Sequence, residues 1–344
     1  MDRINNFIKT AGWSRIIIAL FLLVLFIMAP FFDIRLDFAF DFVFNRFCMN
    51  AIMVLSLIFM IQSGCGLNFG ITLGLLAGIF GATCSLELEL TGFPGIFAAM
   101  GIGIIVAAGF GYIYGKILNR VKGDEMIVST YVGLSVVAFL NIMWTVLPFK
   151  NPTIIWGYGG SGIRHTVSVE GYWLNQLSGF LNIEITKYFS LQLGLLIFFA
   201  LACFLVWAFF KTKTGAAMIA VGSNPDYARA AGINVDRIRT LSVILSTCVA
   251  AVGVIVHQQS YGFIMYYNAP NNFTFPTIAA ILIGGASIKK ASILNVIIGT
   301  FLFQGIITMA PLVINGIFQM DIAEVFRLII SNGMILYALT RKER

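Results

Sequence analysis

Two stretches hold the residues able to bind something. The first is Lys211 to Arg239, KTKTGAAMIAVGSNPDYARAAGINVDRIR, polar and mostly cationic between strongly apolar neighbours. Lys211, Lys213, Arg229, Arg237 and Arg239 stand against only Asp226 and Asp236. Ser223, Asn224 or Asp226 suits a helix N-cap, Pro225 suits a first turn that does not need its N–H, and Gly232 suits the end. A short helix of small residues buries little by itself. It makes sense as a knob offered to a partner, with an ordinary solvated loop as the alternative. The second stretch is His257-Gln258-Gln259-Ser260, followed by Tyr261, Tyr266, Tyr267, Asn268, Asn271 and Asn272. Its side chains are rich in hydrogen-bonding groups and carry no acid or strong base. They fit contact with a neutral polar solute, or interfacial anchoring by tyrosine with ordinary turns.

Nothing in the chain is arranged for covalent chemistry. There is no Ser/His/Asp set, no H-E-x-x-H and no carboxylate pair positioned for acid–base work. Gly284 to Lys290 lacks the second glycine before lysine that a phosphate-cradling loop needs, so the chain does not hold ATP itself. Cys48, Cys65, Cys84, Cys203 and Cys248 lie in or beside apolar runs, odd in number and without metal spacing, and read as small buried apolar side chains. His165 reads as a solvated loop histidine. The expectation is no catalytic residue, no metal and no cofactor.

These groups must be positioned by membrane-spanning helices. Of 344 residues, 59% are hydrophobic and 11% charged, and the mean hydropathy is +0.92, values of a polytopic membrane protein. Apolar stretches of about 20 residues fall near 13–32, 45–62, 66–86, 94–118, 126–148, 190–210, 239–260, 273–288, 291–312 and 322–340. The first lacks a small-x-small cleavage site and reads as an uncleaved span. The eighth is short and broken by Gly284-Gly285. Placing both termini in the cytoplasm puts 16 of the 22 basic residues inside, from Arg3, Lys9 and Arg15 through the central loop to Lys289, Lys290, Arg341, Lys342 and Arg344. The formal charge of +7 is thus a positive-inside signature and not a nucleic-acid footprint. Phe32 to Phe44 alternates apolar and polar residues, which predicts an extended interfacial segment on the outer surface. Gly66, Gly70, Gly74 and Gly78 make a flat ridge, for close packing or for lining a pathway. Residues 149–189, with Trp156, Gly159, Gly160, His165 and Trp173, form the largest external segment, too polar to span and long enough to pack over the outer mouth or meet a partner. No Asp, Glu, Lys or Arg falls in the middle of a predicted span, which argues against a proton-driven carrier.

The central stretch carries a resemblance. Thr214-Gly215, Ala220-Val221-Gly222-x-Asn224-Pro225 and Ala228-Arg229-x-Ala231-Gly232-Ile233-Asn234-Val235-x-Arg237 resemble the cytoplasmic signature of ABC importer permeases for simple sugars, nucleosides and branched-chain amino acids, the ribose permease among them. The likeness extends more weakly along most of the chain. It implies an all-α polytopic fold of about ten transmembrane helices, of the vitamin-and-sugar importer type, as a single permease domain over residues 1–344. It also implies that loop 211–239 couples to an ABC ATP-binding subunit through Gly222, Asn224, Pro225, Ala228, Arg229, Ala231, Gly232 and Arg237. Ala228, Ala231 and Gly232 are then the close-fitting surface and Arg229 a polar contact.

Asn68 and Phe69 fall where sugar and nucleoside permeases of this family have a characteristic turn, and Gly123-x-Glu125 with Ile127-Val128-Ser129-Thr130 resembles the nucleoside type. The substrate path is accordingly expected at Asn68, Phe69, Gln258, Gln259 and Asn272, suited to a small neutral solute such as a nucleoside or simple sugar. Further partners implied are a second permease subunit, identical or paralogous, an extracytoplasmic solute-binding protein and the lipid bilayer of a bacterial plasma (inner) membrane. ATP hydrolysis would lie on the separate subunit. The alternatives are a stand-alone sodium-coupled carrier and an importer permease for branched-chain amino acids, with a membrane enzyme third for want of any site.

Overall fold

The computed structural model describes residues 13–157, 162–318 and 323–340. Five helices come first: α1 (Trp13–Met28), α2 (Leu36–Gln62), α3 (Ile71–Glu87), α4 (Gly92–Arg120) and α5 (Glu125–Val146). After a long connection follow α6 (Leu193–Lys211), α7 (Lys213–Ser223), α8 (Pro225–Ala230), α9 (Val235–Tyr261), α10 (Ala269–Ile283), α11 (Ile293–Phe318) and α12 (Ala323–Thr340). Strands β1 (Thr166–Ser168) and β4 (Phe263–Met265) pair antiparallel with Thr166 opposite Met265, and β2 (Asn182–Thr186) pairs with β3 (Phe189–Gln192), Asn182 opposite Gln192. The protein is a mostly helical polytopic membrane protein. Apolar runs become helices because hydrocarbon leaves backbone N–H and C=O groups no partner but one another.

α2 is the centre of the packing. Every residue from Phe47 to Ile61 is buried, and α9 and α11 cover much of its surface. A helix apolar all round, with no polar stripe, belongs inside. Small residues bring its neighbours close. A Cβ on Gly74 or Gly78 of α3 would lie 2.5 Å from the carbonyl oxygen of Thr247 or Ala251 of α9, so these two glycines serve helix contact. Helices α1, α4, α5 and α6 keep Leu20, Ile105, Tyr131 and Leu205 exposed, as a lipid-facing ring does.

Several expectations are corrected. Phe32 to Phe44 is not extended: a 3-10 turn at Ala29–Phe32 leads into α2, which starts at Leu36 and not near residue 45. The period of two there arises from pairs such as Asp37 and Asp41, four apart and therefore on one helix face. As a result Asp41 and Arg46 sit inside a spanning helix, against the reading of spans free of mid-span charge. Gly66 and Gly70 precede α3 in a buried turn and are not part of its ridge. The external segment contributes β1 and β2 and the first residue of β3, whose remainder falls in the span expected at 190–210.

Each of the ten expected spans coincides with a helix. Among the described residues, however, only α1 with its 3-10 extension, α2, α4, α5, α6, α9 and α11 are long and apolar enough to cross, α3 and Asn272–Ile283 being shorter apolar helices. Length and composition therefore do not fix the number at ten. Arg3, Lys9, Gly159, Gly160 and the basic cluster Arg341, Lys342 and Arg344 lie outside the described residues.

Candidate functional site

A cavity of about 380 Å³ opens near the C-terminal end of α9. α2 contributes Arg46 and Asn50, one turn apart; α9 contributes His257 and Tyr261, also one turn apart. α10 supplies Asn272, Phe273, Phe275 and Pro276, α11 supplies Phe303, Gln304 and Ile307, and α12 supplies Ser331 and Asn332 with Leu328 and Ile335. His257 is buried, its ring edge-on to Phe273 at 4.6 Å and 5.4 Å from Tyr261. The Arg46 guanidinium lies 5.3 Å from the Phe42 ring and 5.9 Å from that of Tyr261. Asn50 donates through Nδ2 to the Arg46 carbonyl at 2.8 Å, which fixes the amide plane. Among the described residues the lining therefore combines aromatic faces, amides, the His257 imidazole and one guanidinium, with no carboxylate. Such a set recognises hydroxyls and ring faces.

The residues predicted for a path divide. Asn272 lines the cavity, and Phe69 reaches its edge through Phe275, ring centroids 5.9 Å apart. Asn68 is fully buried elsewhere. Its Nδ2 donates to Ser246 Oγ at 2.9 Å and its Oδ1 accepts from the Tyr114 hydroxyl at 3.1 Å, so it ties the turn before α3 to α9 and α4. Gln259 faces the connection between α5 and α6: its Oε1 accepts from Leu177 N at 3.1 Å and its backbone carbonyl accepts from Asn175 N at 2.9 Å. Gln258 is buried with neither amide atom hydrogen-bonded, and it does not line the cavity. Arg46, Asn50, Gln304, Ser331 and Asn332 were not singled out from sequence. The spacing of four between Arg46 and Asn50 inside an apolar run was the available signal.

This end of the molecule is closed by the connection between α5 and α6. The Glu87 carboxylate accepts from Lys150 N and Asn151 N at 2.9 and 3.1 Å, while Asn151 Nδ2 donates to Leu86 O and the Tyr172 hydroxyl. Val169 N donates to Gly262 O at 3.0 Å, beside the β1–β4 pair.

At the opposite end of α9 the central loop folds through three side-chain caps. Thr212 Oγ1 accepts from Gly215 N, Asn224 Oδ1 from Asp226 N and Tyr227 N, and Asn234 Oδ1 from Arg237 N. Pro225 opens α8, and Gly232 follows it at φ +81°, a conformation that glycine adopts without Cβ strain. Ala231, Gly232 and Arg237 are exposed. Arg229 pairs with Asp226 at 3.2 Å on the exposed surface. Ala228 does not face outward as expected. It is fully buried against Val221 and Val235, and it is the neighbouring Tyr227, 72% exposed, that projects. Gly222 packs so tightly on the end of α2 that a Cβ there would lie 2.1 Å from the Gln62 carbonyl oxygen. Gln62 Nε2 in turn donates to Ala291 O. Behind the loop, Arg239 and Glu125 form an ion pair at 2.5 Å, largely shielded, that joins the starts of α9 and α5. α2 therefore reaches from the cavity to the loop.

The family model for the branched-chain amino acid transport system / permease component matches residues 39–339. A probable ABC transporter permease protein of Escherichia coli is 30% identical over 44% of this chain and 44% of its own length. An autoinducer 2 import system permease protein of Shigella flexneri is 33% identical over 30% of this chain and 29% of its own. A xylose transport system permease protein of Haemophilus influenzae is 27% identical over 38% and 33%. The chain thus spans less than half the length of each of these relatives. No solved structure matches it. The match over residues 39–339 covers most of the chain, cavity and loop included, and the chain belongs to this family of ABC transporter permease components.

Proposed function

We propose that this chain is the membrane-spanning permease of an ATP-driven importer in a bacterial plasma membrane, and that its cavity holds a small neutral, hydroxyl-rich solute such as a simple sugar or a nucleoside. The observation that carries the solute class is the lining: Asn50, Asn272, Gln304 and Asn332 beside Phe273, Phe275 and Phe303, with no carboxylate among the described residues. Amides pair with hydroxyls, and aromatic faces stack on the apolar face of a sugar or on a base. A branched-chain amino acid would find Arg46 for its carboxylate but no described acidic partner for its ammonium group, and burying that group unpaired is costly. One relative belongs to a xylose transport system, and xylose is a hydroxylated solute.

The exposed face of α8, centred on Tyr227, is the contact for an ATP-binding subunit. The end carrying the β1–β4 sheet receives the solute-binding protein, and a second permease subunit completes the assembly. The test is uptake of radiolabelled xylose, ribose, uridine and leucine by cells that express this chain with the ATP-binding and solute-binding proteins encoded beside it. Uptake of a sugar or uridine, lost when the ATP-binding subunit is omitted, is expected. Leucine uptake alone overturns the solute class, and uptake without that subunit, driven by a sodium gradient, overturns the importer reading.

A further inference from the structure

The hairpin of β2 and β3 keeps large apolar side chains exposed. In its antiparallel register Ile183 lies opposite Leu191 and Glu184 opposite Ser190, so each pair shares a face. The face with Ser190 looks toward the protein: Asp41 of α2 accepts from Ser190 N at 2.9 Å and from its hydroxyl at 3.3 Å. β2 is exposed along its whole length, with Ile183 and Ile185, the latter at a register irregularity, 50% and 56% exposed, while β3 is half-buried. A sheet beside water does the opposite, placing its apolar face on the core.

Two further observations say what covers this face. β3 ends at Gln192 and α6 begins at Leu193, so the hairpin is continuous with a spanning helix and starts at the bilayer boundary. At its turn, Tyr188 has the Arg35 guanidinium over its ring at 3.9 Å and the Lys187 ammonium at 5.6 Å. A tyrosine flanked by long cationic side chains is the composition of the membrane–water boundary, where rings sit at headgroup level and cations reach phosphates.

We propose that β2–β3 is a membrane-interface anchor, its Ile183 and Ile185 face immersed at the headgroup–acyl boundary of phospholipid. It holds the first residues of α2, where Phe38 and Phe40 are also exposed, through Asp41 and Arg35. The proposal uses only the membrane character of the chain and stands apart from the identity of any solute.

The test is site-directed spin labelling of the full chain, carrying Ile183→Cys or Ile185→Cys, in liposomes of phosphatidylethanolamine and phosphatidylglycerol. Glu170→Cys, on the exposed connection between α5 and α6, is the aqueous control, and the unsubstituted chain is the blank for native cysteines. Labels at 183 and 185 are expected to relax with oxygen and to be shielded from a water-soluble nickel complex, while the label at 170 shows the reverse. Nickel accessibility at 183 and 185 equal to that at 170 overturns the anchor. Shielding from both reagents also overturns it, because protein, a second copy included, then covers the face. Should either variant elute aggregated, Leu181→Cys, on the same exposed segment, gives the same reading.

Discussion

Asn50 and Asn272 reach one cavity from helices far apart in sequence, and each offers an amide to whatever lies between them. Replacing either with alanine removes one hydrogen bond to a neutral solute, about 0.5–1.5 kcal/mol, or a rise of roughly two- to twelve-fold in the KM for uptake. Membrane abundance should stay unchanged, and an unaltered KM in both variants would remove the cavity from the solute's path. Gln259→Ala is expected to behave differently. It orphans the buried Leu177 amide, costing ~1–3 kcal/mol, so thermal denaturation in detergent should fall in temperature while KM stays level. The sequence shows why these two classes are hard to separate. Gln258 and Gln259 stand out as polar residues in an apolar run, but His257 and Tyr261, one turn apart, share the face that meets the cavity. Residue type was legible; the face was not, because it depends on which neighbour packs where. Gln258, buried without a hydrogen-bond partner for its amide, has no role that the geometry explains.

At the scale of elements, the loop from Lys211 to Arg239 was readable because its folding is local. Asn224 as cap, Pro225 in the first turn and Gly232 after the last are choices made within a few residues of one another. What the sequence concealed is which way the helix is turned, since Val221 and Val235 bury Ala228 from either side. The corresponding prediction is a contrast. Tyr227→Ala should leave the chain at normal abundance and abolish co-purification of the ATP-binding subunit, whereas Ala228→Trp should open the loop itself, detected as new protease cleavage between residues 211 and 239. If Tyr227→Ala retains the subunit, α8 is not its docking element. A related seam lies where α7 meets the end of α2. Gly222→Val would drive a branched side chain into the Gln62 carbonyl. Overpacking of that kind costs about 1–3 kcal/mol, and a matching loss of thermal stability is the expected measurement.

At the scale of the whole molecule, hydropathy and length located the spans because a bilayer imposes both. The start of α2 was missed because Asp37, Asp41 and Arg46 lower the local hydropathy there. The charge asymmetry predicts an orientation in which the α8 loop faces the cytoplasm and the β2–β3 hairpin the outside. A membrane-impermeant maleimide should therefore label Lys187→Cys in intact cells and Ser223→Cys only in inverted vesicles; labelling of Ser223→Cys from outside reverses the topology. The central position of α2 carries a consequence for the order of synthesis. It is the second of the described helices to leave the ribosome, yet its main coverings, α9 and α11, are not made until everything from Ser63 to Asn234 has been translated. At ~5–20 residues per second that interval is on the order of ten to thirty seconds. Throughout it, Asn45, Arg46 and Asn50 lack the later helices and must be sheltered by the insertion machinery or by α1. A chain interrupted in that interval presents a charged, half-covered helix to lipid, and that exposed helix is the mark by which quality control would recognise an unfinished copy.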